Sequence, residues 1–132
     1  MVLTNKKSIG AILAGLLAVI ILTTLVDIAL HALAVFPPLG APLDNRLSLI
    51  ATSYRILLGI AGAYLTARLA PGEPMKHAMI LGVIGTILGV VGVVATWGKG
   101  MGPAWFPIAL AVLAVPQSWL GGWIYSTRKS AQ

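Results

Sequence analysis

The sequence predicts an all-α membrane protein: four transmembrane helices in an up-down-up-down antiparallel bundle with a core of glycine and other small residues. Three observations carry that expectation. First, 58% of the 132 residues are hydrophobic and only 9% are charged, with a mean hydropathy of +0.96, whereas a soluble domain is about a quarter charged. Second, four apolar runs, at approximately 9–36, 47–70, 76–97 and 104–126, are each long enough to cross a hydrocarbon layer of ~30 Å. Third, small residues recur in the third run at Ala78, Gly82, Gly85, Gly89, Gly92 and Thr96, with spacings that alternate between 4 and 3. Each interior glycine would cost about 1 kcal/mol against alanine in a water-exposed helix. In a bilayer such positions let another backbone come close, which is how membrane helices associate. The length allows one domain, residues 1–132.

The first run, from Ile9 to Phe36, follows Lys6 and Lys7 and is interrupted only by Asp27 and His31. A signal peptide is the rival reading, with Ala32-Leu33-Ala34 as the cleavage site. Against it, the apolar stretch before Asp27 is longer than a usual signal core. Pro37-Pro38 is expected to end the span, because a residue before proline disfavours helix. The connection Pro37–Arg46 is turn-rich, with Asp44 or Asn45 placed to cap the second span. That span carries its own small or polar stripe: Ser48, Thr52, Arg55, Gly59, Gly62 and Thr66. Pro71-Gly72-Glu73-Pro74 turns the chain into the third span, and residues 97–103 (WGKGMGP) turn it into the fourth. Pro116 lies inside the fourth span and should kink it by freeing the carbonyl of Val112. Trp97, Trp105 and Phe106 at one face, and Tyr64, Trp123 and Tyr125 at the other, fit aromatic belts.

Orientation follows from the basic residues. Lys6, Lys7, Arg68, Lys76, Arg128 and Lys129 fall on one side, and Arg46 and Lys99 on the other. The positive-inside rule then puts both termini in the cytoplasm. The net charge of +6 therefore reads as membrane topology, and no nucleic-acid partner is implied. The lipid bilayer is the expected partner, together with a homo-oligomer or a larger membrane complex.

In an antiparallel hairpin, residues at equal depth are symmetric about the turn. The stripes of the second and third spans pair symmetrically about Gly72: Ser48 with Thr96, Thr52 with Gly92, Arg55 with Gly89, Gly59 with Gly85, Gly62 with Gly82, and Thr66 with Ala78. Weaker stripes follow the same rule. In the fourth span they are Ala104, Pro107, Ala111, Ala114, Ser118 and Gly121, and in the first Leu17, Ile20, Thr24, Asp27, His31 and Ala34. All four would face a common axis in a left-handed bundle.

Asp27 and Arg55 are symmetric about the first connection, at depths of about 13 and 12 Å, so they should be level and facing. Each charge alone would cost several kcal/mol in hydrocarbon, and an Arg fork suits a carboxylate bidentately. His31 lies one turn from Asp27, and Thr24, Thr52 and Ser48 supply hydroxyls nearby. Tyr54, next to Arg55, is expected to point elsewhere, as a belt residue. The cluster reads either as polar glue between two helices or as a proton- or anion-handling site open to one face. Beyond it, only Thr66, Gln117 and Ser118 are polar toward the other face, so no continuous path is visible.

Enzymatic chemistry is not expected. The chain has no cysteine, which removes disulfides, thiolate catalysis and Cys-ligated metals. His31 and His77 fall at opposite ends, so they cannot share a haem or metal, and no catalytic residue, metal or cofactor is implied. Pro116-Gln117 has a broken-helix binding site as its sharper reading and a plain proline kink as its simpler one.

The segment YRILLGIAGAYLTARLAPGEPMKHA, from Tyr54 to Ala78, with Gly102-Pro103-Ala104-Trp105 and Trp119-Leu120-Gly121-Gly122, resembles small four-span bacterial membrane proteins that have no assigned function. The resemblance implies a bacterial inner membrane and contributes no activity. The first span lacks the embedded glutamate of small multidrug exporters, and the Asn and Phe pattern of small fluoride channels is missing. The expected role is that of an accessory or assembly subunit. Its competitor is a small oligomeric proton-linked transporter or channel using Asp27, His31 and Arg55.

Overall fold

The computed structural model describes residues 6–37, 44–100 and 102–131. Among these the chain forms four helices and no strand: α1 Lys6–Ala32, α2 Asn45–Leu69, α3 Pro74–Thr96 and α4 Trp105–Ala131. All four are long and apolar enough to span a membrane. Their outward faces suit lipid: Leu17, Ile21, Leu25, Val83, Ile87, Val91 and Val94 are all more than half exposed. On a soluble monomer so large an apolar surface would be an aggregation hazard.

The helix ends show what the chain does where its apolar pattern gives no instruction. α1 stops at Ala32, short of Phe36. The Val35 N–H donates to the Leu30 carbonyl at 3.0 Å and the Ala34 N–H to the His31 carbonyl at 3.1 Å. These two bonds close a Schellman motif, and its left-handed position falls on Ala34, with φ 61°. The prolines are therefore not the terminator; the chain has already left the helix before Pro37. Phe36 folds back and is buried, its ring edge-on to His31 at 5.5 Å. The expected turn continues into residues 38–43, which lie outside the described residues, as does Met101 in the turn before α4.

Asp44 caps α2, accepting the Leu47 N–H at 2.8 Å. Asn45, the other candidate, is the first residue of α2 and accepts the Trp105 indole N–H at 2.9 Å, which ties the start of α2 to the start of α4. Pro74 occupies the first turn of α3, where its missing N–H costs nothing. α4 runs unbroken through the exposed Pro116.

Packing follows the small residues. Gly82 lies against Ser118 and Val115, Gly85 against Ala114, and Gly89 against Ala111. The Thr86 hydroxyl crosses the same seam to the Ala111 carbonyl at 3.2 Å. Numbers rise along α3 as they fall along α4, so these two helices run in opposite directions. α4 also turns a second small face to α2, where Gly59 meets the Gln117 amide and Gly121 meets the Ile60 carbonyl and Ala63. Ala78 packs on Gly122 and joins Ile12, Ala63 and Leu81 in the core cluster. On the far side of α2, Gly62 lies against Val19 and Gly15, and the Thr66 hydroxyl donates to the Ala11 carbonyl at 2.9 Å. His77 closes the remaining edge. Its Nδ1–H donates to the Glu73 carbonyl at 2.9 Å, so its Nε2 is left to accept the Ser8 hydroxyl at 2.8 Å.

Two expected seams differ. The α2 and α3 stripes do not pair about Gly72, because the close partner of Gly82, Gly85 and Gly89 is α4, and Gly59 and Gly62 face α4 and α1. A narrow glycine seam admits one backbone at near contact, and the Ala111-Ala114-Ser118 edge of α4 fills it. On α1 the inward residues are Ser8, Ala11, Ile12, Gly15 and Thr23, while Leu17, Ile20 and Thr24 are exposed. Gly15 decides that face, since only there can α1 reach the Thr66 and Gly62 edge of α2.

Two substitutions test these details by thermal or denaturant unfolding in detergent. Ala34→Gly should raise stability by about 1 kcal/mol, because glycine adopts the left-handed position without the Cβ penalty. A methyl added at Gly89 would stand 2.6 Å from the Ala111 Cα, whereas at Gly92 it would meet nothing within 4 Å. Gly89→Ala should therefore destabilise by about 1–3 kcal/mol, and Gly92→Ala should be neutral or stabilising.

Candidate intramembrane polar site

Asp27 sits five residues before the end of α1, about 8 Å from that end at ~1.5 Å per residue. The α1–α2 seam brings it level with Tyr54 and Arg55. The Arg55 Nη2 donates to Asp27 Oδ2 at 2.7 Å, and the Tyr54 hydroxyl donates to Asp27 Oδ1. Both carboxylate oxygens are thus held by α2, each by a different side chain. The arginine bonds through one nitrogen, Nη2, rather than as a two-pronged fork. The pair is shielded without being sealed, with side chains 27% exposed for Asp27 and 30% for Arg55.

Aromatic rings complete the surroundings of the guanidinium. Its carbon lies 5.7 Å from the Tyr54 ring centroid and 5.8 Å from that of Phe106 on α4, within the range at which a cation is attracted to a ring face. The Phe106 ring in turn meets Trp105 edge-on at 6.2 Å, and Trp105 is anchored on Asn45. Three helices therefore converge on one cation. The buried Arg55 Nε has no hydrogen-bond partner among the described residues, and neither do the buried hydroxyls of Thr23 and Ser48.

The other expected members of the cluster are placed differently. The His31 Nδ1–H donates to the main-chain carbonyl of Asp27 at 2.7 Å, one turn back on its own helix. It is not bonded to the carboxylate, and its ring rests on Phe36. Thr52 donates to the Ser48 carbonyl at 2.8 Å, an intrahelical bond, and Thr24 is exposed. The structure thus brings together Asp27 and Arg55, leaves His31 alongside, and keeps Thr24 and Thr52 out of the bonding.

Tyr54 and Phe106 are the members that the sequence reading missed. Successive helix residues are about 100° apart, so a partner between them is about 50° from each, within reach of two long side chains. Tyr54 and Arg55 bracket Asp27 in this way. The signal was present, because Tyr54 is as nearly symmetric with Asp27 about the connection as Arg55 is. Phe106 carried no such signal, since its place depends on how α4 lies across α2.

Open space is found along the helices and at one end of them. A half-open pocket of about 60 Å³ lies further along the helices, lined by Leu16, Val19, Gly59, Gly85, Ala114 and Gln117 among others. A cleft of about 360 Å³ opens between the end of α3 and the start of α4, lined by Gly92, Thr96, Trp97, Pro103, Phe106 and Pro107 among others. The Phe106 ring stands between this cleft and Arg55.

These features define the class: a small integral membrane protein with four candidate spans and a half-buried ion pair joining two of them. Comparison with protein-family models, curated proteins and solved structures finds no match.

A double-mutant cycle measures the tie. Tyr54→Phe and Asp27→Asn should each lower the unfolding free energy in detergent by about 1–3 kcal/mol. Their combined effect should fall short of the sum by about 0.5 kcal/mol or more, as expected for residues in contact. Strict additivity would mean that the hydroxyl and the carboxylate do not interact.

Proposed function

We propose that the protein is an accessory, structural or assembly subunit of the membrane without catalytic activity. In this reading the four helices form an up-down-up-down antiparallel bundle in the bacterial inner membrane, with both termini cytoplasmic. The observation that carries it is the double engagement of Asp27. Its two oxygens take their donors from α2, which makes the acid an interhelical staple and leaves it no oxygen without a donor. Support also comes from the small-residue seams, which bring the helix backbones into near contact at Gly62, Gly82, Gly89 and Gly121. The excess of basic residues near Lys6, Arg68, Lys76 and Arg128 supports the orientation.

A second reading, the small oligomeric proton-linked transporter or channel, is favoured by one feature. The unpartnered Arg55 Nε, Thr23 hydroxyl and Ser48 hydroxyl are the kind of buried polar atoms that water satisfies. Arg55 is bonded to Asp27, so water held at such groups would make the start of a proton path.

The two readings part on Asp27→Asn. In an accessory subunit the variant loses thermal stability, because the guanidinium is left without its counter-charge, while proton flux into proteoliposomes stays at the background of empty vesicles. A pH-dependent flux in the wild type that vanishes in a folded Asp27→Asn variant would establish the transporter instead.

A further inference from the structure

The chain carries nine basic side chains and three acidic ones, and each acid is already engaged. Asp27 holds Tyr54 and Arg55, Asp44 caps α2, and Glu73 stands 3.9 Å from Lys76. Three of the nine basic side chains gather at one place. The last turns of α2 and α4 bring Tyr64, Arg68, Tyr125, Arg128 and Lys129 around an open cleft of about 290 Å³. Tyr64 and Tyr125 meet edge to face at 5.6 Å, and the Arg128 guanidinium carbon lies 5.9 Å from the Tyr64 ring centroid. A guanidinium resting on a ring face keeps its N–H groups, which lie in its own plane, available to an oxyanion.

Cations at helix C-termini also complement the helix dipole. Each end is equivalent to roughly half a negative charge, so two ends balance about one of the three cations. The rest need a counter-charge that the chain's own acids do not supply. The cleft offers what a phosphate group requires: a guanidinium over a ring face and two further cations, with two tyrosines in its lining. Its position points to the source. Tyrosines at helix ends mark the lipid headgroup level, and the stacked, half-exposed Trp119 and Trp123 precede the cleft on α4.

We propose that this cleft binds a phosphate-bearing anion, supplied by the headgroup of an anionic phospholipid, with Arg68, Arg128 and Lys129 as the charge donors and Tyr64 as the platform for Arg128. Such basic pockets between membrane helices suit anionic headgroups. The proposal does not rest on the accessory-subunit reading and holds for either role.

The test uses the full chain in a neutral detergent, with native mass spectrometry and thermal melts read against added phosphatidylglycerol, phosphatidylcholine or inorganic phosphate. Phosphatidylglycerol should be retained as an adduct and raise the melting temperature, and phosphatidylcholine should do neither. Each lost cation should weaken retention about fivefold, so Arg68→Gln should show that loss and Arg128→Gln/Lys129→Gln a loss of about 25-fold. The charge-matched control Lys6→Gln/Lys76→Gln should stay within about twofold. Should inorganic phosphate protect as well as phosphatidylglycerol and displace it, the phosphate site stands and the headgroup as its source is overturned. Equal retention of the two lipids, or an equal loss in the control, overturns the site itself.

Discussion

Lipid tails are as apolar as leucine, so burying leucine between helices gives a membrane protein no advantage over leaving it in the bilayer. What holds these helices together is near contact between backbones, and near contact requires missing side chains. The fold obeys that constraint throughout. α4 touches α3 along Gly82, Gly85 and Gly89 and touches α2 along Gly59 and Gly121, while α1 docks through Gly15 on Gly62. Many bulky aliphatics, which would form the core of a soluble protein, point outward, as Leu17, Ile87 and Val94 do, while Ile12 and Leu81 stay inside. Among the described residues the largest fully buried side chains are Thr66 and Ser48.

Close seams also give short side chains a long reach. Because α1 and α2 nearly touch near Gly15 and Gly62, the Thr66 hydroxyl can bond the main chain of α1 at Ala11. The same approach, continued along the pair, sets Asp27 opposite Tyr54 and Arg55. A carboxylate in such a place needs donors, and the geometry supplies two of different kinds. Arginine neutralises the charge and tyrosine satisfies the second oxygen. Phe106 then covers the guanidinium from α4, so the ion pair joins two helices and is screened by a third. The polar site is a consequence of the glycine seams.

The sequence made the spans legible because hydropathy and length report the transfer of a helix into lipid directly. It made the level of Asp27 and Arg55 legible because antiparallel helices of equal rise keep a fixed offset about their turn. It did not reveal which stripe meets which. Several seams alternate by 3 and 4, and α3 is shared out by the shape of α4 rather than by chain order, so Gly85 meets Ala114 and not Gly59. The inward face of α1 was misread for a related reason. Leu17 and Ile20 have the right spacing for a core, but in lipid the smallest residue sets the contact, and that is Gly15. The early end of α1 was hidden too, because a left-handed alanine at residue 34 carries no compositional mark of the kind a glycine would.

Along the helix seams backbones lie in near contact, and Asp27 is held at both oxygens. The molecule's distinguishing chemistry lies on the outside, in the lipid-facing aliphatics of α1 and α3 and in the unbalanced cations at the ends of α2 and α4. Aliphatic faces can be covered by lipid or by another helix with little difference in energy, since lipid and leucine compete on equal terms. Unbalanced cations are not indifferent in that way, because a charge near the bilayer is strongly coupled to whichever anion sits beside it. The basic end is therefore the surface where the choice of neighbour matters most.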